Sequence, residues 1–164
     1  MATAYESTEV AVIKSQDGIR RLLRAHGGAS LSLISHPPNE GFETLLKLEG
    51  KEMRLRVMAR SRDMTRDRYN NPRTGIMLTN AKEKEEKRVW RVLYYHLKAM
   101  FAAADSGVID VRDVLLPYVV MHDQKTGETF TIAELLKPRL AALGASGSTG
   151  DLAHAILNPA RLLQ

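Results

Sequence analysis

Two runs of cations are the residues of this chain best suited to chemistry. Arg54, Arg56, Arg60, Arg62, Arg66 and Arg68 form one, with Tyr69 at its end; Lys84, Lys87, Arg88, Arg91 and Lys98 form the other, with Tyr95 among them. A guanidinium fork matches phosphate oxygens two bonds at a time, and a tyrosine ring set among cations is a surface on which an unpaired base can stack. These residues are the candidate nucleic-acid-binding set. The same pattern also suits a solvated basic face whose tyrosines keep only the hydroxyl in water. No helix-turn-helix signature, zinc-finger spacing or RNP-type motif specifies a recognition mode. The expectation is therefore binding to the phosphate backbone, single-strand or structure-tolerant rather than sequence-specific.

Other chemistries have weaker support in the residues. Asp105, Asp110 and Asp113 are the best case for a metal-dependent nuclease, since two carboxylates gripping Mg²⁺ can activate water against a phosphodiester. Yet Asp110 and Asp113 are three apart at an element start, where acids serve as caps, and Asp105 precedes a helix-ending glycine. Asp63 and Asp67, interleaved with arginines, read as partners of those arginines or as loop-shaping residues. His26, His36, His96, His122 and His154 make no HxH or HExxH spacing, and His96 reads as a satisfied core residue. GxSxG, Walker-type GK[ST] and GxGxxG motifs are absent. The expectation is a non-enzymatic protein with no metal and no cofactor.

The element that must position the second run is Thr79 to Gly107, whose periodicity predicts a long helix capped by Thr79 or Asn80 and ended by Gly107. At 100° per residue, Val89, Trp90, Leu93, Tyr94, Leu97, Met100, Phe101 and Ala104 share a core-facing sector, and the cations with Tyr95 fill the opposite one. Glu83, Glu85 and Glu86 continue the apolar sector backwards. That predicts a helix start overhanging its core, with the glutamates meeting water or a partner.

The first run sits on a predicted strand and a loop. Glu52 to Met58 alternates Met53, Leu55 and Val57 with Arg54 and Arg56, giving one buried and one basic face. Ala29 to Ser35 and Glu43 to Leu48 are the other strands of this sheet, with a reversal at Gly50-Lys51. Residues 60 to 78 are too polar and too rich in Asn, Pro and Gly for regular structure, and a link of that length is functional or disordered. Elsewhere, Glu9 to Ile13 reads as a strand and Ser15 as the cap of a helix ended by Gly27 and Gly28. Val111 to Leu116 reads as a short helix before Pro117, then Tyr118 to Met121 and Glu128 to Phe130 as extended. Thr131 to Glu134 is a capping box opening a helix to about Leu143. The fold class expected is α+β: a small, mostly antiparallel sheet of four or five strands packed on one long central helix and shorter helices. A single domain over residues 1–143 would precede a Gly/Ser linker and a short C-terminal helix in 144–164.

The 164 residues carry a formal charge of +5 and no cysteine, which removes disulfides and thiolate chemistry and suits a reducing cytoplasm. The charge is concentrated. Residues 47–98 hold fifteen basic and seven acidic side chains, the remainder nine and twelve, so the middle carries +8 and the flanks −3. Such asymmetry points to a polyanionic partner. No apolar run approaches a membrane span, residues 1–14 lack the apolar region of a secretion signal, and no membrane partner is expected.

The order of short motifs carries a resemblance. Ser7 to Val10 (STEV), a helix ending at Gly27, Arg54 to Val57 (RLRV), Arg88 to Leu93 (RVWRVL), Ala104 to Gly107 (ADSG) and Leu116 to Met121 (LPYVVM) succeed one another, followed by Gly127-Glu128-Thr129. This order resembles a family of small uncharacterised phage, prophage and mobile-element proteins over residues 7–143. The resemblance implies the cytoplasm of a bacterial host and a context of DNA replication, recombination or host control. It assigns no activity and no site residue. Val108 to Val111 replaces the acidic cluster usual after AxSG. A second class of function fits the same residues: a small adaptor or inhibitor docking a host or phage protein through the helix start and the arginine loop, or a homo-oligomer formed there.

Overall fold

The computed structural model describes Tyr5 and residues 8–36, 38–124 and 126–146. Their order is α1 (Val12–Ala25), β1 (Gly28–His36), β2 (Asn39–Leu48), β3 (Lys51–Arg60), α2 (Gly75–Asp105), α3 (Val111–Leu115), a 3-10 turn (Leu116–Tyr118), β4 (Val120–His122), β5 (Thr129–Thr131) and α4 (Ile132–Ser146). The class is α+β with α2 central. The five strands form two antiparallel sheets, β1-β2-β3 and β4-β5, rather than one. Two compact units divide the chain, residues 1–120 and 121–164.

In the first unit the sheet alternates as the sequence demands. Phe42, Thr44 and Leu46 of β2 lie opposite Val57, Leu55 and Met53 of β3, and this face packs on Val89, Trp90, Leu93, Leu97 and Phe101 of α2. Ile19 and Leu23 of α1 and Leu115 of α3 complete the core. Truncating Trp90 or Phe42 to alanine at such sites costs about 3 to 5 kcal/mol. Arg54 and Arg56 fall on the other face by the period of two. The β2-β3 reversal sits one residue earlier than Gly50-Lys51: Glu49 and Gly50, both at positive φ, form the two-residue turn.

Helices α1 and α2 run in the same direction. Gly18 of α1 abuts the ring of Tyr94, and eight residues on, His26 stacks on Phe101 with ring centroids 3.9 Å apart. A Cβ on Gly18 would stand 2.6 Å from that tyrosine ring, so close helix contact accounts for a glycine in a helix interior, where it costs about 1 kcal/mol relative to alanine.

Several expected boundaries are corrected. Glu9 to Ile13 is not a strand: α1 begins at Val12, whose Cβ has no preceding turn to crowd it, and Ser15 is buried inside the helix instead of capping it. Helix α2 begins four residues before Thr79, with Thr74 as N-cap, and the Thr79 hydroxyl donates back to the Gly75 carbonyl at 3.3 Å. Gly107 ends it at φ +71°. Helix α4 continues through Gly144 to Ser146, past the expected start of the linker; the linker and final helix predicted beyond it lie outside the described residues. Its capping box forms, with the Glu134 N–H donating to Thr131 Oγ1 at 3.2 Å and the Thr131 N–H to Glu134 Oε2 at 2.7 Å.

Candidate functional site

The cations expected to act together fall into three settings in the first unit. On the outer face of the sheet, Arg54 and Arg56 both bond Glu43, Arg54 Nη2 at 2.6 Å and Arg56 Nε at 2.5 Å. Burial would raise the Glu43 pKa, but the two guanidinium bonds outweigh it and hold the carboxyl below its usual range. This face turns away from α2.

The loop between β3 and α2 is ordered by its own side chains. The Asp63 carboxylate accepts from the Thr65 N–H and hydroxyl, each at 2.9 Å, and Asp67 accepts from the N–H groups of Tyr69 and Asn71, each at 2.8 Å. These backbone bonds lower both aspartate pKa values. Arg66 donates to the Asn70 carbonyl at 2.9 Å, and Arg73 to the carbonyls of Met64 and Arg66 at 3.2 and 2.8 Å. Arg68 lies 4.6 Å over the Tyr69 ring, which is 69 % exposed. Arg60 is exposed at the end of β3.

The helical stripe is the third setting, on the face of α2 turned away from the sheet. Lys84 and Lys98 are exposed and Lys87 and Arg91 half-buried. The Arg91 guanidinium lies 4.6 Å over Tyr95 and donates to its hydroxyl at 2.9 Å, and Tyr5 stacks on Tyr95 at 5.0 Å. Tyr95 therefore already has stacking partners. Lys14 and Arg21 of α1, one turn before and one turn after the Gly18 that abuts Tyr94, are exposed cations on a second helix. The sequence could not show this, because it depends on which face α1 turns to α2. Sheet arginines and helical stripe lie on opposite sides of the helix-sheet layer, so they do not make one surface.

Arg62 and Arg88 leave the candidate surface for a structural reason. Glu85, expected to meet water or a partner, is 2 % exposed and accepts from the Arg62 backbone N–H at 2.9 Å, from Arg62 Nη2 at 2.7 Å and from Arg88 Nη2 at 2.6 Å. Burial alone would push its pKa up; the bonds from Arg88 and Arg62 reverse the sign and hold the carboxyl at about 2. The overhang of α2 is thus confined to its opening turns, Gly75 to Asn80, where Ile76 and Met77 are 79 % and 70 % exposed.

Glu85 also lines a cavity of about 1020 Å³ between the start of β2, the end of β3 and α2. Across it stands Glu40, 3 % exposed, whose carboxyl receives Ser61 Oγ at 3.3 Å on Oε1 and no hydrogen bond on Oε2. Burial, reinforced by the negative charges of Glu86 and Glu85, raises its pKa. The Trp90 indole N–H leans towards this carboxyl but stops short of hydrogen-bond geometry. Glu40 is not among the residues the sequence singles out, although the spacing Glu40, Phe42, Thr44, Leu46 points it inward.

The aspartates considered for a nuclease are separated. Asp105 receives His26 Nε2 at 3.1 Å, Asp110 caps α3 by accepting from the Arg112 N–H at 2.7 Å, and Asp113 sits in that helix's first turn. His96 is exposed rather than in the core, with Nε2 2.6 Å from the Tyr118 hydroxyl. Among the described residues no group of three or more His, Asp or Glu is placed to hold a metal ion, and no helix is long and apolar enough to cross a membrane. Family models, curated proteins and solved structures all return no match to the chain.

Proposed function

We propose that this is a non-enzymatic nucleic-acid-binding accessory protein of a phage or mobile element, gripping the phosphate backbone through the outer face of the α1-α2 pair. The observation that carries the reading is the run Lys84, Lys87, Arg91 and Lys98 on one face of α2, with no acid on that face between the first and the last of them, beside exposed Lys14 and Arg21 on the helix whose Gly18 abuts Tyr94. Backbone binding is favoured over base stacking, since Tyr95 is held between Tyr5 and Arg91. The phage or mobile-element context rests on the order of motifs from Ser7 to Thr129.

The test is binding of labelled single-stranded oligonucleotide by wild type and by Lys87→Glu/Arg91→Glu over a salt series. Log affinity is expected to fall linearly with log salt, and the double variant to lose about 1.4 from the slope, about 0.7 for each phosphate contact removed from a single strand. Equal retention of oligonucleotide by both proteins at low salt overturns the proposal. A protein-partner role is supported by one different observation, the exposed Ile76 and Met77 at the start of α2. Pull-down from a bacterial lysate distinguishes the two: a partner that survives nuclease treatment and is lost in Ile76→Ser/Met77→Ser favours the adaptor.

A further inference from the structure

The two edges of the three-stranded sheet are finished differently. β3 carries five charged side chains in ten residues, and on its outer side Leu55 is bridged by Val119. β1, GASLSLISH, carries no Asp, Glu, Lys, Arg or Pro in nine residues, and no described residue pairs with its outer side. Charges, prolines and covering segments are what ordinarily keep a sheet edge from pairing with another chain. β1 has only one irregularity, a register shift between Gly28 and Ser30, and pairs regularly with β2 from there on.

The open groups of this edge follow from the ladder. The Lys47 N–H donates to the Gly27 carbonyl at 3.0 Å, so alternate residues of β2 from there, Leu45, Glu43 and Gly41, turn their main chain to β1. Their partners Ser30, Ser32 and Ile34 are engaged in that ladder, which leaves Leu31, Leu33 and Ser35 holding N–H and C=O outward. Leu31 and Leu33 lie opposite Thr44 and Phe42, so their side chains are on the helix side of the sheet. Beside this edge α1 sets Arg20 and Arg24 about one turn apart, and with Gly28 to Leu31 they line a cavity of about 170 Å³. That is room for one side chain, well below the roughly 300 Å³ at which ligand pockets begin. Arg24 is exposed and has no carboxylate partner among the described residues; the acid among these arginines, Asp17, is bound to Arg20 at 2.6 Å.

We infer that β1 takes an extended acidic peptide segment of a partner protein as a fourth strand, with an Asp or Glu side chain on its helix side entering the cavity between Arg20 and Arg24. Main-chain bonds to Leu31, Leu33 and Ser35 supply affinity, and the arginine-lined cavity selects for charge, as in other cases of strand addition. A guanidinium meets a carboxylate with two parallel bonds, which suits one acid between two arginines. A phosphate chain fits the edge less well: its oxygens accept from the outward N–H groups but meet the outward carbonyls as acceptor against acceptor. A second copy of β1 would bring no acid to the arginines. Arg20, Arg24 and β1 are not among the residues of the proposed nucleic-acid surface, so the two readings stand or fall separately.

The probe is a fluorescein-labelled peptide, Thr-Val-Glu-Val-Glu-Val-Thr amide, whose alternation puts both glutamates on one face of a strand. Added to the full chain, it should raise anisotropy saturably with a Kd below about 1 mM and slow amide exchange at Leu31, Leu33 and Ser35. Glutamine in place of both glutamates should weaken binding about 10-fold, and proline in place of the central valine should abolish it. Arg20→Ala and Arg24→Ala should each weaken it about 3- to 5-fold. Thermal melts establish that both variants are folded, and the peptide series stands without them. The inference is overturned by an absence of saturable change up to about 1 mM peptide, by unchanged exchange in β1, or by equal affinity for the glutamine peptide. A dimer that protects the same amides without peptide overturns it by giving the edge to a second copy. Oligonucleotide affinity that falls as far as peptide affinity in the two arginine variants overturns it by giving the arginines to phosphate.

Discussion

Glu40 and Glu85 stand in the wall of one cavity, 3 % and 2 % exposed, and burial penalises the charge of both. Their fates are opposite. Glu85 is met by two guanidinium groups and a backbone N–H and is held ionised down to about 2, while Glu40 receives one hydroxyl, lies near two further negative charges and is pushed above its usual range. Desolvation opposes the charge of each; the partners decide the outcome. Glu85 is therefore a structural anchor tying the arginine loop to α2, and Glu40 a buried acid with no cation to hold its charge.

The largest expected effect comes from removing the anchor. Glu85→Gln leaves Arg62 and Arg88 without their carboxylate and should cost about 3 to 5 kcal/mol in denaturant unfolding, as for other broken buried pairs. A loss below about 1 kcal/mol would erase the distinction between the two glutamates. Acid should reproduce part of this loss in wild type. The folded pKa of Glu85 is depressed, so its contribution of about 3 kcal/mol is present above the unfolded value near 4.5 and disappears as pH falls towards 2. A stability-pH curve over that window, flattened in the variant, would show it.

Glu40 has the reverse sign. Its folded pKa is raised, so its contribution is intact below about 4.5 and lost as pH climbs through the folded value. Glu40→Gln should thus stay within about 1 kcal/mol of wild type and be relatively more stable at pH 7 than at pH 4. A larger loss at pH 7 than at pH 4 would contradict the assignment of Glu40 as the buried acid held above its usual range. The smallest effect belongs to Glu43→Gln, where a partly solvated carboxylate binds Arg54 and Arg56; about 1 kcal/mol or less is expected.

Much of the frame was legible in residue order. The alternation of Met53, Leu55 and Val57 with arginines, the sector from Val89 to Phe101, the Thr131-Glu134 box and the stop at Gly107 each rest on a local rule that tertiary structure did not override. Where the reading failed, a long-range partner was decisive. Glu85 looked exposed because a carboxylate in an apolar sector has no local reason to be buried; its reason, Arg62, is 23 residues away on a loop whose path periodicity does not encode. The start of α1 failed differently, since β-branched Val10 and Val12 favour a strand only if an edge is there to pair with. The division of the cations between two sides of the layer likewise follows from packing, not spacing.

The loop arginines carry a kinetic consequence. Arg66 and Arg73 spend N–H groups on carbonyl oxygens of their own loop, which use up donors but cancel no charge, and Asp63 and Asp67 nearby offset only part of the loop's five arginines. Their guanidinium groups thus remain electrostatic sources even where their forks are engaged. Such charges act at the range of the Debye length, about 8 Å in physiological salt, and under the proposed function they would shape how quickly a polyanion arrives more than how long it stays. Neutralising them should slow association while leaving the dissociation rate nearly unchanged, the opposite of what loss of a direct phosphate clamp would do.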